Sequence, residues 1–170
     1  GSKPDAIKIP GASKFAIGIK PIDIFLQKWA GVVEEAITTI RDKSKSYTIA
    51  IVGGGPASFE FALAAQYRIH KELNLKHEPD SPLQIKIISA DDKLLQAHNK
   101  KVRLAAQAKA DERHIQTIFK HRVVKFKKNS ISFEDQEPIS ANAIVFATGA
   151  SIPQWPADSG ILAPVAKTMA

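Results

Sequence analysis

The chain has 170 residues, 44% of them hydrophobic and 24% charged, a composition that suits one globular domain with a real core and leaves little room for two. It has no cysteine, so disulfide staples, thiolate zinc sites and a redox-active cysteine pair within the chain are excluded. With 24 lysines and arginines against 17 acids, the net charge of +7 favours anionic ligands, with nucleic acid one candidate and the phosphates of a nucleotide another.

Residues 1–12 read as irregular, with Pro4, Pro10 and Gly11; Gly1-Ser2 fits either an expression scar or native residues. Residues 15–20 alternate like a short strand. A helix is expected next, with Pro21 at its start, Asp23 in its first turn, and Ile22, Leu26, Trp29, Val33, Ile37 and Ile40 as one apolar stripe. Its end, from Arg41 to Ser46, reads as a polar linker with cations at the negative end of the helix dipole. Residues 47–52 form an apolar, β-branched strand that stops at Gly53-Gly54-Gly55. A helix from Pro56 to about Leu73 follows, with Phe59, Ala62, Leu63, Ala65 and Ile69 able to pack on a sheet. After a polar loop, residues 83–89 alternate as a second strand, Asp91-Asp92 makes a turn, and residues 98–113 form an alanine-rich helix carrying Val102, Ala105, Ala106 and Lys109. Residues 115–119 read as a third strand.

Residues 123–127 and 130–133 read as an antiparallel pair joined through Lys128-Asn129, with Val124 and Phe126 on one face and Lys125 and Lys127 on the other. An acidic loop, 134–138, leads to a fully apolar strand at 143–147, which runs into Thr148-Gly149-Ala150. Residues 151–170, with three prolines, read as a truncated connection. This order predicts an α/β fold in three layers, Rossmann-like: a parallel sheet, helices on one face, and an antiparallel β-meander crossover on the other.

The junction of strand, glycines and helix is the entry of a dinucleotide-binding βαβ unit. Gly53 allows the tight turn, Gly55 lets a pyrophosphate approach the backbone, and Pro56 suits the first helical position, where a missing N–H leaves nothing unpaired. The helix N-terminus offers free amides and a positive dipole end to phosphate. Ser58 holds the third fingerprint position, where glycine or alanine is usual. The second strand ends at Ser89 rather than at the acid that commonly binds ribose hydroxyls; Asp91 lies two residues on, with Lys93 nearby. Three outcomes stay open: Asp91 reaches back, the ribose is held weakly, or a 2′-phosphate is accepted beside Lys93. The five histidines show no metal-like clustering.

The run from Ile51 to Pro56, Glu60 two residues after Ser58, and the run from Ile144 to Ala150 together resemble the FAD-dependent pyridine nucleotide-disulfide oxidoreductase superfamily, including type II NADH dehydrogenases. Ile9-Pro10-Gly11-Ala12 and the run from Lys20 to Phe25 are similar to its branch fused to selenide, water dikinase. The resemblance implies an NAD(P)H-binding domain, residues 1–170, excised from a larger flavoprotein whose FAD domain is split around it. Residues 1–45 would be a connecting strand and helix, and 151–170 a cut connection. Gly53, Gly54, Gly55, Pro56, Ala57 and Ser58 would line the pyrophosphate. Glu60 would stand in the first helical turn near the nicotinamide, while Ser89, Asp91 and Lys93 would lie at the ribose end. Thr148 and Gly149 would form the turn that passes close to the cofactor. Glu60 is read equally well as a carboxylate favoured at a helix N-terminus, and Thr148 and Gly149 as a plain turn.

The implied cofactors are NAD or NADP here and FAD in the full-length parent, where hydride passes from NAD(P)H to flavin; the fragment alone would be inactive. No catalytic residue and no metal ligand is assigned. Expected partners are a nicotinamide dinucleotide and the parent's own FAD domain, without nucleic acid. With neither a membrane-spanning run nor a signal-peptide pattern, a cytoplasmic protein is expected. The alternative is a Rossmann-like docking module with degenerate nucleotide binding, which would use the basic face of Lys125, Lys127 and Lys128. A fold that binds S-adenosylmethionine is a third, less favoured reading, opposed by Glu60 and by the antiparallel crossover.

Overall fold

The computed structural model of the protein describes residues 9–43 and 45–147. The elements run α1 (Ala12–Phe15), β1 (Ile17–Gly18), α2 (Ile22–Lys43), β2 (Tyr47–Val52), α3 (Pro56–Leu73), β3 (Leu83–Ile88) and α4 (Lys100–Glu112). They continue with β4 (Gln116–Ile118), β5 (Val123–Lys127), β6 (Ser130–Phe133), β7 (Ile139–Ser140) and β8 (Ala143–Phe146). A five-stranded parallel sheet has the order β1-β8-β2-β3-β4, and a three-stranded antiparallel sheet has the order β5-β6-β7.

Period-two alternation divides the parallel sheet between two cores. Tyr47, Ile49, Ile51, Ile87 and Val145 pack towards the helices with Val33, Ala62, Ile69 and Ala110. Ala50, Val52, Ile88, Ile144 and Phe146 pack against Phe126, Ile131 and Phe133 of the small sheet. A strand buried on both faces must be apolar throughout, which is why β8 is buried at every position. Each fully buried isoleucine of β2 and β3 contributes about 1.5–3 kcal/mol relative to exposure. The three layers anticipated from the element order are present.

Several local expectations are corrected. Residues 15–20 are not one strand: Gly11, at φ +83°, caps the turn of α1, which takes Phe15, and only Ile17–Gly18 pairs with β8. A side chain at Gly11 would overlap the Phe126 carbonyl, while the Phe126 N–H donates to the Pro10 carbonyl at 2.9 Å. The Ile9–Ala12 stretch thus seats the small sheet.

The stripe of α2 is as expected at Trp29, Val33, Ile37 and Ile40, which pack on the core, and departs from the expectation in its first turns. Ile22 and Leu26 are 59% and 56% exposed, while Phe25, Val32, Val33 and Ala36 are buried. The cause is an aromatic cluster: Phe61 of α3 meets Phe25 and Trp29 edge-on at 5.4 and 4.8 Å. On α4, which starts at Lys100 after an Asn99 cap, Ala106 and Ala110 are buried and Val102 is exposed. A bulge between Val123 and Lys125 turns Val124 outward, so it does not share the face of Phe126. The acidic loop ends in β7, a strand absent from the sequence reading, which pairs Ile139 with Ile131.

Among the described residues, no helix is long and apolar enough to cross a membrane.

Candidate functional site

The glycine corner lies at the carboxyl edge of the parallel sheet, where β2 hands over to α3. Gly53 has φ +134°, and its N–H donates to the Ile88 carbonyl at 2.8 Å. A Cβ there would lie 2.8 Å from both the Ala147 carbonyl oxygen and Ser58 Oγ. Only glycine fits a corner so closely backed by neighbouring atoms. Gly54 is equally confined, since a Cβ would come within 2.6 Å of Ser89 Oγ. Gly55 differs: nothing lies within 4 Å of where a side chain would stand. It caps α3 in extended conformation, and Pro56 follows in the first helical turn.

The two residues that depart from the fingerprint both pack this corner. Ser58 is fully buried beneath Gly53, and its hydroxyl donates to the Ala147 carbonyl at 3.3 Å. Ser89 is buried beside Gly54; its Oγ accepts the Asp91 N–H at 3.1 Å and donates to Asp91 Oδ2 at 3.3 Å. Asp91 is thereby turned back on the corner, with Oδ2 3.6 Å from the position of a Gly54 Cβ. Lys93 is elsewhere, paired with Asp92 at 3.4 Å.

Glu60 is exposed and is the fifth residue of α3; the first turn contains no acid. The expectation of a carboxylate in that turn is corrected, because the helix begins at Pro56. The amides of Ala57 and Ser58 have no intrahelical acceptor, and no acid on their own turn offsets the dipole. Thr148 and Gly149 lie outside the described residues.

Two clefts meet at Gly54, Gly55 and Asp91. One, of about 360 Å³, is lined also by His121 and Arg122. The other, of about 300 Å³, runs along Asp91 to residues 95–98, whose Leu95 N–H is tied to the Gly54 carbonyl at 2.8 Å. Each is of the size expected of part of a small-molecule site. His121 and Arg122 were not among the sequence candidates; the available signal was a basic run directly after a strand that ends at the same edge. The His121 ring lies edge-on to Phe133 at 4.9 Å, and its Nδ1 stands 2.7 Å from the Phe119 carbonyl oxygen. With Nδ1–H donating there, Nε2 is left available.

In comparisons with known proteins, the family profile described as pyridine nucleotide-disulphide oxidoreductase matches residues 1–162. No curated protein sequence matches the chain significantly. Among solved structures, NDH2 of Plasmodium falciparum in complex with NADH superposes with a TM-score of 0.72 at 23% identity, over 88% of this chain and 33% of that one. A NAD-dependent persulfide reductase of A. fulgidus gives 0.67 at 15% identity, over 94% and 26%. The water-forming NADH oxidase of Lactobacillus brevis bound to NADH gives 0.61 at 15% identity, over 88% and 29%. At these identities the likeness is one of fold, and the chain spans about a third or less of each of these proteins. Together with the parallel sheet, its glycine corner and the antiparallel sheet on its second face, the profile match over nearly the whole length places this chain in the pyridine nucleotide-disulphide oxidoreductase family.

Proposed function

We propose that the chain is the NAD(P)H-binding domain of an FAD-dependent oxidoreductase, with NAD as the preferred dinucleotide. The observation that carries this reading is the open corner at Gly55: its neighbours Gly53 and Gly54 are backed by protein atoms, while Gly55 faces empty space at the N-terminus of α3. The first-turn amides of Ala57 and Ser58 would hold the diphosphate there. The Asp91 carboxylate, held by Ser89, would accept hydrogen bonds from the ribose hydroxyls and would repel a 2′-phosphate. Lys93, paired with Asp92, is withdrawn from that contest. Solved structures with this fold include complexes with NADH and with NADPH, in keeping with a nicotinamide dinucleotide.

Within the parent protein the dinucleotide would supply hydride to a flavin. This chain has one glycine fingerprint, so the flavin would be held by the rest of the parent, and the role of these residues is to bind and orient the nucleotide.

Thermal denaturation with NADH, NADPH, FAD and S-adenosylmethionine tests the reading, since a ligand bound only by the native state raises the melting temperature. NADH should raise it most. No response to NADH at about millimolar concentration, roughly the weakest affinity worth assigning, would overturn the reading in favour of a docking module.

A further inference from the structure

At the opposite edge of the sheet, where the strands begin, a second polar cluster joins α3, α4 and the segment between α3 and β3. His70 lies in the last turn of α3 and is buried. The exposed ring of His77 stacks on it, with centroids 4.7 Å apart and planes at 23°. Arg113, the C-cap of α4, sets Nη1 against His77 Nε2, and its carbonyl accepts Gln66 Nε2 at 2.7 Å. His70 Nε2 faces Ser81 Oγ at 3.4 Å. Leu75 N–H ties the start of the segment to the His70 carbonyl at 2.9 Å, and Ser81 N–H closes a turn within it on the Glu78 carbonyl at 3.1 Å.

A guanidinium has donors only, so His77 Nε2 must be the acceptor and its ring must be neutral. Protonating that nitrogen replaces an attractive contact with two facing donors. Burial, then the neighbouring His77 and Arg113, pulls His70 down to about 4. Burial and Arg113 also lower His77, with His114 adding to the effect and Glu112 opposing it. A second observation marks the same place as weak. Gln66 Oε1, His70 Nδ1 and Arg113 Nε are the buried side-chain atoms without a partner among the described residues, and all three belong to this cluster. Unsatisfied buried groups cost local stability, and such regions open first.

We propose that the His77–Arg113 contact is an acid-released latch on segment 74–82. Proton uptake at His77 Nε2 removes the acceptor, the segment swings off His70, and His70 then meets water and takes up its own proton. The second uptake makes opening self-reinforcing.

The test is amide hydrogen exchange on the 170-residue chain between about pH 7.5 and about pH 4.5, a window that spans ordinary imidazole titration. Protection at Leu75 and Ser81 should fall between about tenfold and about a hundredfold per pH unit below about pH 6, as expected for uptake of one proton at His77 and a second at His70. Protection at Ile49 and Ile51 should fall less, and only as far as global stability declines. In His77→Gln, whose side-chain oxygen can accept from Arg113 but cannot titrate, Leu75 and Ser81 should lose less protection per pH unit than in the wild type, because only His70 still takes up a proton on opening. The proposal is overturned if their protection in the wild type does not change with pH, falls only together with that of Ile49 and Ile51, or falls identically in His77→Gln. Ring resonances of His77 in the wild type give an independent readout; titration that does not coincide with the loss of protection also overturns it.

Discussion

Ser89 and Asp91 lock each other: one serine hydroxyl accepts the aspartate's main-chain N–H and donates to the same residue's carboxylate. The strand therefore ends in a buried serine, yet an acid still stands beside the glycine corner. Replacing Asp91 with serine should weaken NADH binding about tenfold, the scale of one charge-assisted hydrogen bond. NADPH binding should fall less, because a repulsive charge leaves with the attractive one. Calorimetric titration of both nucleotides checks this; equal losses would remove Asp91 from the ribose site.

Gly54 and Gly55 should respond oppositely to the same change. Gly54→Ala drives a methyl into Ser89 Oγ and should cost about 1–3 kcal/mol of stability, as overpacking does. Gly55→Ala meets open space at an ordinary φ and should cost less than about 1 kcal/mol, yet its methyl would occupy the approach to the diphosphate. Urea denaturation and nucleotide titration on both variants separate folding from binding.

Ser58→Ala isolates the off-pattern serine. Loss of its bond to the Ala147 carbonyl should cost about 0.5–1.5 kcal/mol while leaving NADH affinity within about twofold, because the hydroxyl points into the fold and not the cleft. A large loss of affinity would mean that Ser58 touches ligand directly.

Stability should decline on mild acidification. His70 is neutral in the fold down to about 4, whereas in the unfolded chain it titrates near 6.5. The unfolded state therefore binds more protons between those values, and native stability is full above about pH 6.5 and is lost as pH falls towards 4. A fall from near 6.5 to about 4 corresponds to at most about 3–4 kcal/mol. Urea midpoints at several pH values check this, and His70→Asn should flatten the dependence.

The legible parts of the sequence were those where local chemistry and tertiary packing agree. β2 and α3 were read at their observed boundaries because an apolar run, three glycines and a proline punctuate them without ambiguity. Val33, Ile37 and Ile40 of α2 pack as expected, whereas its first turns were read on the wrong face because Ile22, Ile24, Phe25 and Leu26 are all apolar and offer two faces that share Trp29. Phe61, thirty-two residues beyond Trp29, decides between them. The bulge at Val124 depends on pairing with β6, and β7 is too short to carry a period. At the site, the glycines announced themselves, whereas His121 and Arg122 enter the cleft only because β4 ends beside β3. Where the Asp91 carboxylate stands was likewise a matter of fold, set by its bond to the Ser89 hydroxyl.

The central claim is that main-chain amides at the start of α3 hold the diphosphate of a nicotinamide dinucleotide. Titrating the ¹⁵N-labelled chain with NADH while following amide resonances tests it most directly. Saturable shifts are expected, largest at Gly54, Gly55, Ala57 and Ser58, with Asp91 following. No shift at about millimolar NADH, or shifts confined to Lys125, Lys127 and Lys128, would contradict it.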